Sequence, residues 1–145
     1  MKKIYMLILT FVLIGTLGLF KTSQARDYTC KIYADGGWQP CGVVHKGDKV
    51  KIKAYGRWKF SNWRSPVGPE GTSYVFGDSL LEGCPHAALI YTIDRKHGWC
   101  YAKTKEFIAN EDGPIFFTIN DGGYTSDNSG AIDVFVEVIS VEKGK

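Results

Sequence analysis

Past the first 25 residues, apolar and polar positions alternate in short runs separated by turn signals, and no stretch carries a helical period. The clearest run is Lys49–Tyr55. Val50, Ile52 and Ala54 point one way, and Lys49, Lys51 and Lys53 the other. Ala131–Val141 repeats the pattern, with Ile132, Val134, Val136 and Val138 on one face and Asp133, Phe135 and Glu137 on the other. Further strands are predicted over Thr29–Ala34, Cys41–His45, Gly98–Ala102, Glu106–Ala109 and Pro114–Ile119. His86–Asp94 is almost continuously apolar, as expected of a strand buried on both faces. Between them, Trp58–Gly71 reads as a long loop rich in aromatics, Pro and Gly. Strands in this number, with no helix, predict an all-β protein: a two-sheet, jelly-roll-like β-sandwich.

The start of the chain breaks the pattern. Lys2 and Lys3 precede an apolar run, Ile4–Phe20, which Ser23, Gln24 and Ala25 close with small residues at the positions a signal peptidase reads. Residues 1–25 are therefore expected to be a signal peptide, and 26–145 a single exported domain, secreted or periplasmic. A retained anchor is the rival reading; the run is short for a membrane span, and no Cys follows it in a lipoprotein pattern. Export also changes the charge. The formal +3 includes Lys2, Lys3 and Lys21, and without them the domain holds 15 basic and 15 acidic residues. Nothing in that balance points to nucleic acid. The lysines of Lys49–Tyr55 could form an anion-binding stripe, but a solvated sheet face is the simpler reading.

Four cysteines, an even number in an exported chain, read as two disulfides. Cys30–Cys41 and Cys84–Cys100 are the favoured pairs among three possible connectivities, since each would join neighbouring strand-like segments. A zinc site lacks any C-x-x-C spacing, and His45, His86 and His97 fall in no ligand pattern.

Candidate chemistry concentrates in one stretch, residues 119–130 (INDGGYTSDNSG). Asp121, Thr125, Asp127 and Asn128 bring carboxylate, hydroxyl and amide oxygens together within eight residues. Gly122, Gly123 and Gly130 let the backbone turn back on itself. Several oxygens on a flexible loop are what a hard cation such as Ca²⁺ requires. The competing reading is a polar hairpin loop. The stretch is not an EF-hand, because counting from Asp121 the sixth residue is Ser126 and the twelfth Ile132. No nucleophile elbow is present and no carboxylate pair is singled out outside this loop, so an enzyme is not expected. Trp38, Trp58, Trp63, Trp99, Tyr74, Phe76 and Tyr124 lie largely in or beside loops, where exposed rings suit the apolar faces of sugars. Trp58 and Trp99, flanked by strand residues, are expected in the core; Tyr74, Phe76 and Tyr124 are the surface candidates.

Three blocks, in order, extend the picture. Lys46-Gly47-Asp48-Lys49-Val50 leads to Ala54-Tyr55-Gly56-Arg57-Trp58; Gly68-Pro69-Glu70-Gly71 is followed by Ala87-Ala88-Leu89-Ile90; and the loop at 119–130 completes the set. Together, over about Lys31 to Val138, they resemble the PA-IL-like galactose-binding lectin family of bacteria. The resemblance implies a galactose-binding-domain-like sandwich of two curved sheets with one Ca²⁺ in a shallow surface site, completed by two adjacent sugar hydroxyls. By that resemblance Asp121, Asp127 and Asn128 ligate through side chains, and Thr125 and Ser61 through backbone carbonyls. Tyr124 is the alternative to Thr125, because the loop's internal spacing differs by one residue. The sugar is then expected against Asp121, Gly122, Tyr124, Thr125 and Asp127, with Tyr74 and Phe76 beside them. The family's His-Pro-x-Gln segment has no counterpart; Ser73–Asp78 stands in its place. The expected function is a calcium-dependent lectin for galactose-type or related glycans, possible as a homo-oligomer. The alternative is a disulfide-stapled sandwich that binds a protein partner such as an inhibitor, toxin component or envelope factor.

Overall fold

The computed structural model describes residues 23–141. Most of the expected signal segment, residues 1–22, lies outside them. Ser23, Gln24 and Ala25 open the first strand, paired with Val141, Ser140 and Ile139.

Eight strands run in order: β1 (Ser23–Tyr33), β2 (Gln39–Val44), β3 (Lys49–Lys59), β4 (Leu89–Thr92), β5 (Gly98–Cys100), β6 (Glu106–Ile108), β7 (Gly113–Ile119) and β8 (Ser129–Val141). One sheet has the order β1-β8-β3-β6 and the other β2-β7-β4-β5. All pairings are antiparallel. Consecutive strands alternate between the two sheets, except β4 and β5, which pair directly in the second, so the sandwich is jelly-roll-like.

The alternation explains why the sheets face each other. On β8 the inward residues Ile132, Val134, Val136 and Val138 are buried. On β3 Val50, Ile52, Ala54 and Trp58 meet the same interior. Leu89, Tyr91, Ile115, Phe117 and Ile119 fill it from the opposite sheet. Each such side chain contributes about 1.5–3 kcal/mol of burial. Trp58 is 1 % exposed, and its Nε1–H donates to the Ala87 carbonyl (2.8 Å), which satisfies its one polar atom in the core. Trp99 is half-buried, stacked on Tyr91 and Phe107.

Β4 is buried at all four positions, with Leu89 and Tyr91 toward the main core and Ile90 toward a smaller cluster around the Cys84–Cys100 disulfide. Both disulfides pair as expected, Cys30–Cys41 and Cys84–Cys100. The lysine stripe is a solvated face. Glu106 on β6 accepts Lys51 (3.0 Å) and faces Lys49 (3.8 Å).

Two boundaries differ from the sequence reading. The apolar run from His86 is strand only from Leu89, because Ala87 adopts φ 58° and turns the chain. The loop at 119–130 is no hairpin: β7 and β8 lie in different sheets, so it crosses from one layer to the other between two interior strands, at one end of the sandwich.

Candidate functional site

The crossover loop leaves β7 at Ile119 and enters a pocket of backbone contacts before it reaches β8. Asn120 is completely buried. Its Oδ1 accepts the Leu81 N–H (2.7 Å), and its Nδ2 donates to the carbonyls of Leu81, Cys84 and Pro85 (3.2, 3.1 and 3.1 Å). Its backbone exchanges hydrogen bonds with Ala87 and Ala88. One side chain thus ties the segment at 81–88 to the end of β7. The turn at Gly68–Gly71 docks on the same segment. Gly71 has φ 78°, and a Cβ there would stand 2.6 Å from the His86 carbonyl, so only glycine fits.

Against this base a cleft of about 250 Å³ opens, lined by Phe60, Phe76, Asp78, His86, Asp121, Tyr124 and Asp127. Its size falls below the usual range for drug-sized ligands, about 300–1,000 Å³. Asp121 is 5 % exposed, and its Oδ1 accepts the Gly123 N–H (3.1 Å). His86 is equally buried. Its Nδ1 lies 3.0 Å from Ser79 Oγ, its Nε2 3.9 Å from Asp121 Oδ1, and its ring is held edge-on by Phe60 and Phe76 (centroids 4.9 and 4.7 Å). Asp78 stands on the rim, 3.9 Å from His86 Nδ1, and its main-chain carbonyl accepts the Gly122 N–H (2.8 Å). That approach requires glycine at 122, because a Cβ would meet the Asp78 carbonyl at 2.3 Å. Thr125–Asp127 forms a single 3-10 turn, which closes with the Asn128 N–H donating to the Thr125 carbonyl (3.1 Å).

Two oxygens here have no partner. Asp127 Oδ1 and Asn128 Oδ1 are buried and accept no hydrogen bond among the described residues. Asn128 is 5 % exposed, and its Nδ2 donates to the Ala34 carbonyl (3.3 Å), so its oxygen is the free end. A buried oxygen left without a donor costs about 1–3 kcal/mol. Asp127 lines the cleft together with the buried Asp121, and unpartnered carboxylate oxygen there is of the chemistry a hard cation takes; Asn128 lies outside the lining, its side chain turned to Ala34. Among the described residues no three His, Cys, Asp or Glu side chains converge into a metal cluster. A cation at this place would therefore draw on the Asn128 amide and main-chain oxygens as well as carboxylates.

The expected residues do not all meet. Asp121, Tyr124, Asp127 and Phe76 line the cleft. Gly122, Thr125 and Asn128 lie in the same loop behind its lining. Ser61 is outside it, although its neighbour Phe60 is part of the wall; the Ser61 carbonyl accepts the Arg64 N–H (3.3 Å) in a local turn. Tyr74 lines an adjoining depression instead. Asp78, His86 and Asn120 were not singled out as site residues. The departure of Ser73–Asp78 from the family pattern marked the segment that supplies Asp78, but nothing local marked His86. A separate His–Asp contact, His97 Nδ1 to Asp94 Oδ2 (2.6 Å), belongs to the β4–β5 turn. There the His97 backbone and side chain and the Lys96 N–H hold the Asp94 carboxyl well below its usual range.

The structure is similar to the N-terminal domain of EclA, described as a PllA-like lectin: TM-score 0.62 at 18 % identity, over 77 % of this chain and 95 % of that one. The likeness establishes a lectin-like fold. By sequence, no family model and no curated protein matches the chain.

Proposed function

We propose that this protein is an exported, calcium-dependent carbohydrate-binding protein of the PA-IL-like type. One observation carries the reading: the unpartnered buried oxygen of Asp127 lines a one-ring cleft with Asp121, in a loop whose next residue, Asn128, holds a second unpartnered oxygen, on a lectin-like fold. Asp121 and Asp127 would hold the cation through side chains, with Asn128 and the Thr125 carbonyl as further oxygen candidates from the same loop. A Ca²⁺ ion held there would supply a hard, oxygen-seeking charge that a sugar's adjacent hydroxyls can meet. The chain's own groups do the rest. Asp121 is held by the Gly123 N–H and accepts a hydrogen bond from a sugar hydroxyl. Phe76 and Tyr124 present ring surface to its apolar face. The sugar is galactose or a related pyranose. Asp78 stands in the segment that differs from the family, and it reads the hydroxyls beyond the diol.

Two disulfides support an oxidising destination, secreted or periplasmic. No helix among the described residues is long and apolar enough to cross a membrane. The chain is not an enzyme in this reading. A protein partner is the second reading, favoured by Tyr55 and Phe135, which are 60 % and 40 % exposed in edge contact on the outer face of β3 and β8.

Calorimetry with Ca²⁺ on the wild type and Asp121→Ala tests the site. Binding by the wild type and a loss of at least tenfold in the variant are expected. Equal affinity for the two would remove the site.

A further inference from the structure

A second depression of about 480 Å³ adjoins the cleft. It is lined by Phe60, Trp63, Arg64, Val67, Thr72 and Tyr74, among others. The two share Phe60 as a wall. Between them stands an aromatic ridge: the Tyr74 ring faces the second depression and packs edge-on against Phe76 of the first (centroids 4.6 Å). Trp63 is 92 % exposed, and Tyr124, on the other cleft, is 89 % exposed. They are the most exposed of the large hydrophobic side chains among the described residues, and both flank this one site. An indole this exposed offers nearly its whole ring surface to a ligand.

The loop that carries Trp63 is braced at its base. Trp58 and Val67 exchange backbone hydrogen bonds (3.0 and 2.8 Å). The Ser61 carbonyl and Oγ accept the N–H groups of Arg64 and Trp63 (3.3 Å each). The indole is thus presented on a closed turn, in front of a floor of Phe60 and Tyr74. Arg64 and Thr72 supply hydrogen-bonding groups at the edge, and Arg64 forms no ion pair among the described residues. Ring surface with polar donors around it matches a pyranose, whose C–H face is apolar and whose rim is hydroxylated.

We propose that the depression around Trp63 is a second sugar subsite, so that the ligand is an oligosaccharide of at least two units. Its terminal ring sits in the cleft at Asp121, and the next ring stacks on Trp63. The proposal rests on the carbohydrate-binding reading of the first cleft and extends it to ligand length.

The test compares methyl β-galactoside with a series of galactose-terminated di- and trisaccharides, titrated in Ca²⁺ against the wild type, Trp63→Ala and Trp63→Phe. The wild type is expected to prefer at least one oligosaccharide to the monosaccharide by about tenfold, the ratio that about 1.4 kcal/mol represents. Trp63→Ala should erase that preference while leaving the monosaccharide affinity unchanged, and Trp63→Phe should keep part of it. Oligosaccharide binding should also shift tryptophan emission in the wild type and not in Trp63→Ala. Because Trp63 packs in no core, its removal should leave thermal unfolding unchanged. Calcium-dependent monosaccharide binding with no oligosaccharide gain, or a gain that survives Trp63→Ala, overturns the subsite and spares the first cleft. No binding of any probe overturns the first cleft and the subsite together.

Discussion

Asn120 contributes nothing to the cleft's surface, yet it holds the floor. Its amide makes four hydrogen bonds to the segment at 81–85, the segment that leads to His86. Asn120→Ala would leave the Leu81 N–H and three carbonyls without that partner. A loss of about 2–3 kcal/mol is expected, or on the order of 10 °C in Tm, measured by thermal unfolding. Calcium affinity should fall with it, because Asp121 follows directly. A variant that unfolds like the wild type would show that backbone pairing alone holds the floor. That Asp121 and Asp127 would share one surface was legible in the sequence, because a loop's oxygens cluster along the chain itself. His86 and Asp78 were not. They reach the cleft from a segment more than 30 residues away, through Asn120, and no local pattern encodes such a junction.

The alternation of apolar residues made β3 and β8 readable almost to their ends, since each has one face in the core and one in water. It failed at His86–Ala88. Those residues are buried, so they look like strand, but they are buried by the turn at Gly71 and by Asn120 rather than by neighbouring strands. The disulfides act on different elements. Cys30–Cys41 joins β1 to β2 across the two sheets. Cys84–Cys100 fastens the segment behind the cleft to β5. Replacing either pair with alanine should cost about 3 kcal/mol, for loops of 11 and 16 residues. The two should differ in function. Loss of Cys84–Cys100 is expected to weaken calcium binding several-fold, and loss of Cys30–Cys41 to leave it unchanged in the folded protein. Paired denaturation curves and calcium titrations check this; equal effects on calcium would mean that the disulfide does not position the site.

Taken whole, the molecule separates a rigid frame from a variable end. The jelly-roll order β1-β8-β3-β6 and β2-β7-β4-β5 needs only alternation and turns, which is why the fold class was readable from one sequence and is retained at 18 % identity to a lectin domain. The chemistry sits where β7 crosses to β8 and where the loops after β3 fold back over that end. There, the residues at 73–78, which depart from the pattern of the lectin family that the sequence resembles, and the exposed Trp63 give the surface its own character. A glycan array probed with the protein in Ca²⁺, and again with the ion removed by a chelator, puts the calcium-bridged sugar site to the test most directly. Binding to galactose-type or related glycans that disappears with the chelator and returns with added Ca²⁺ is the expected result. Binding that is unchanged by the chelator, or no binding in either condition, would contradict it.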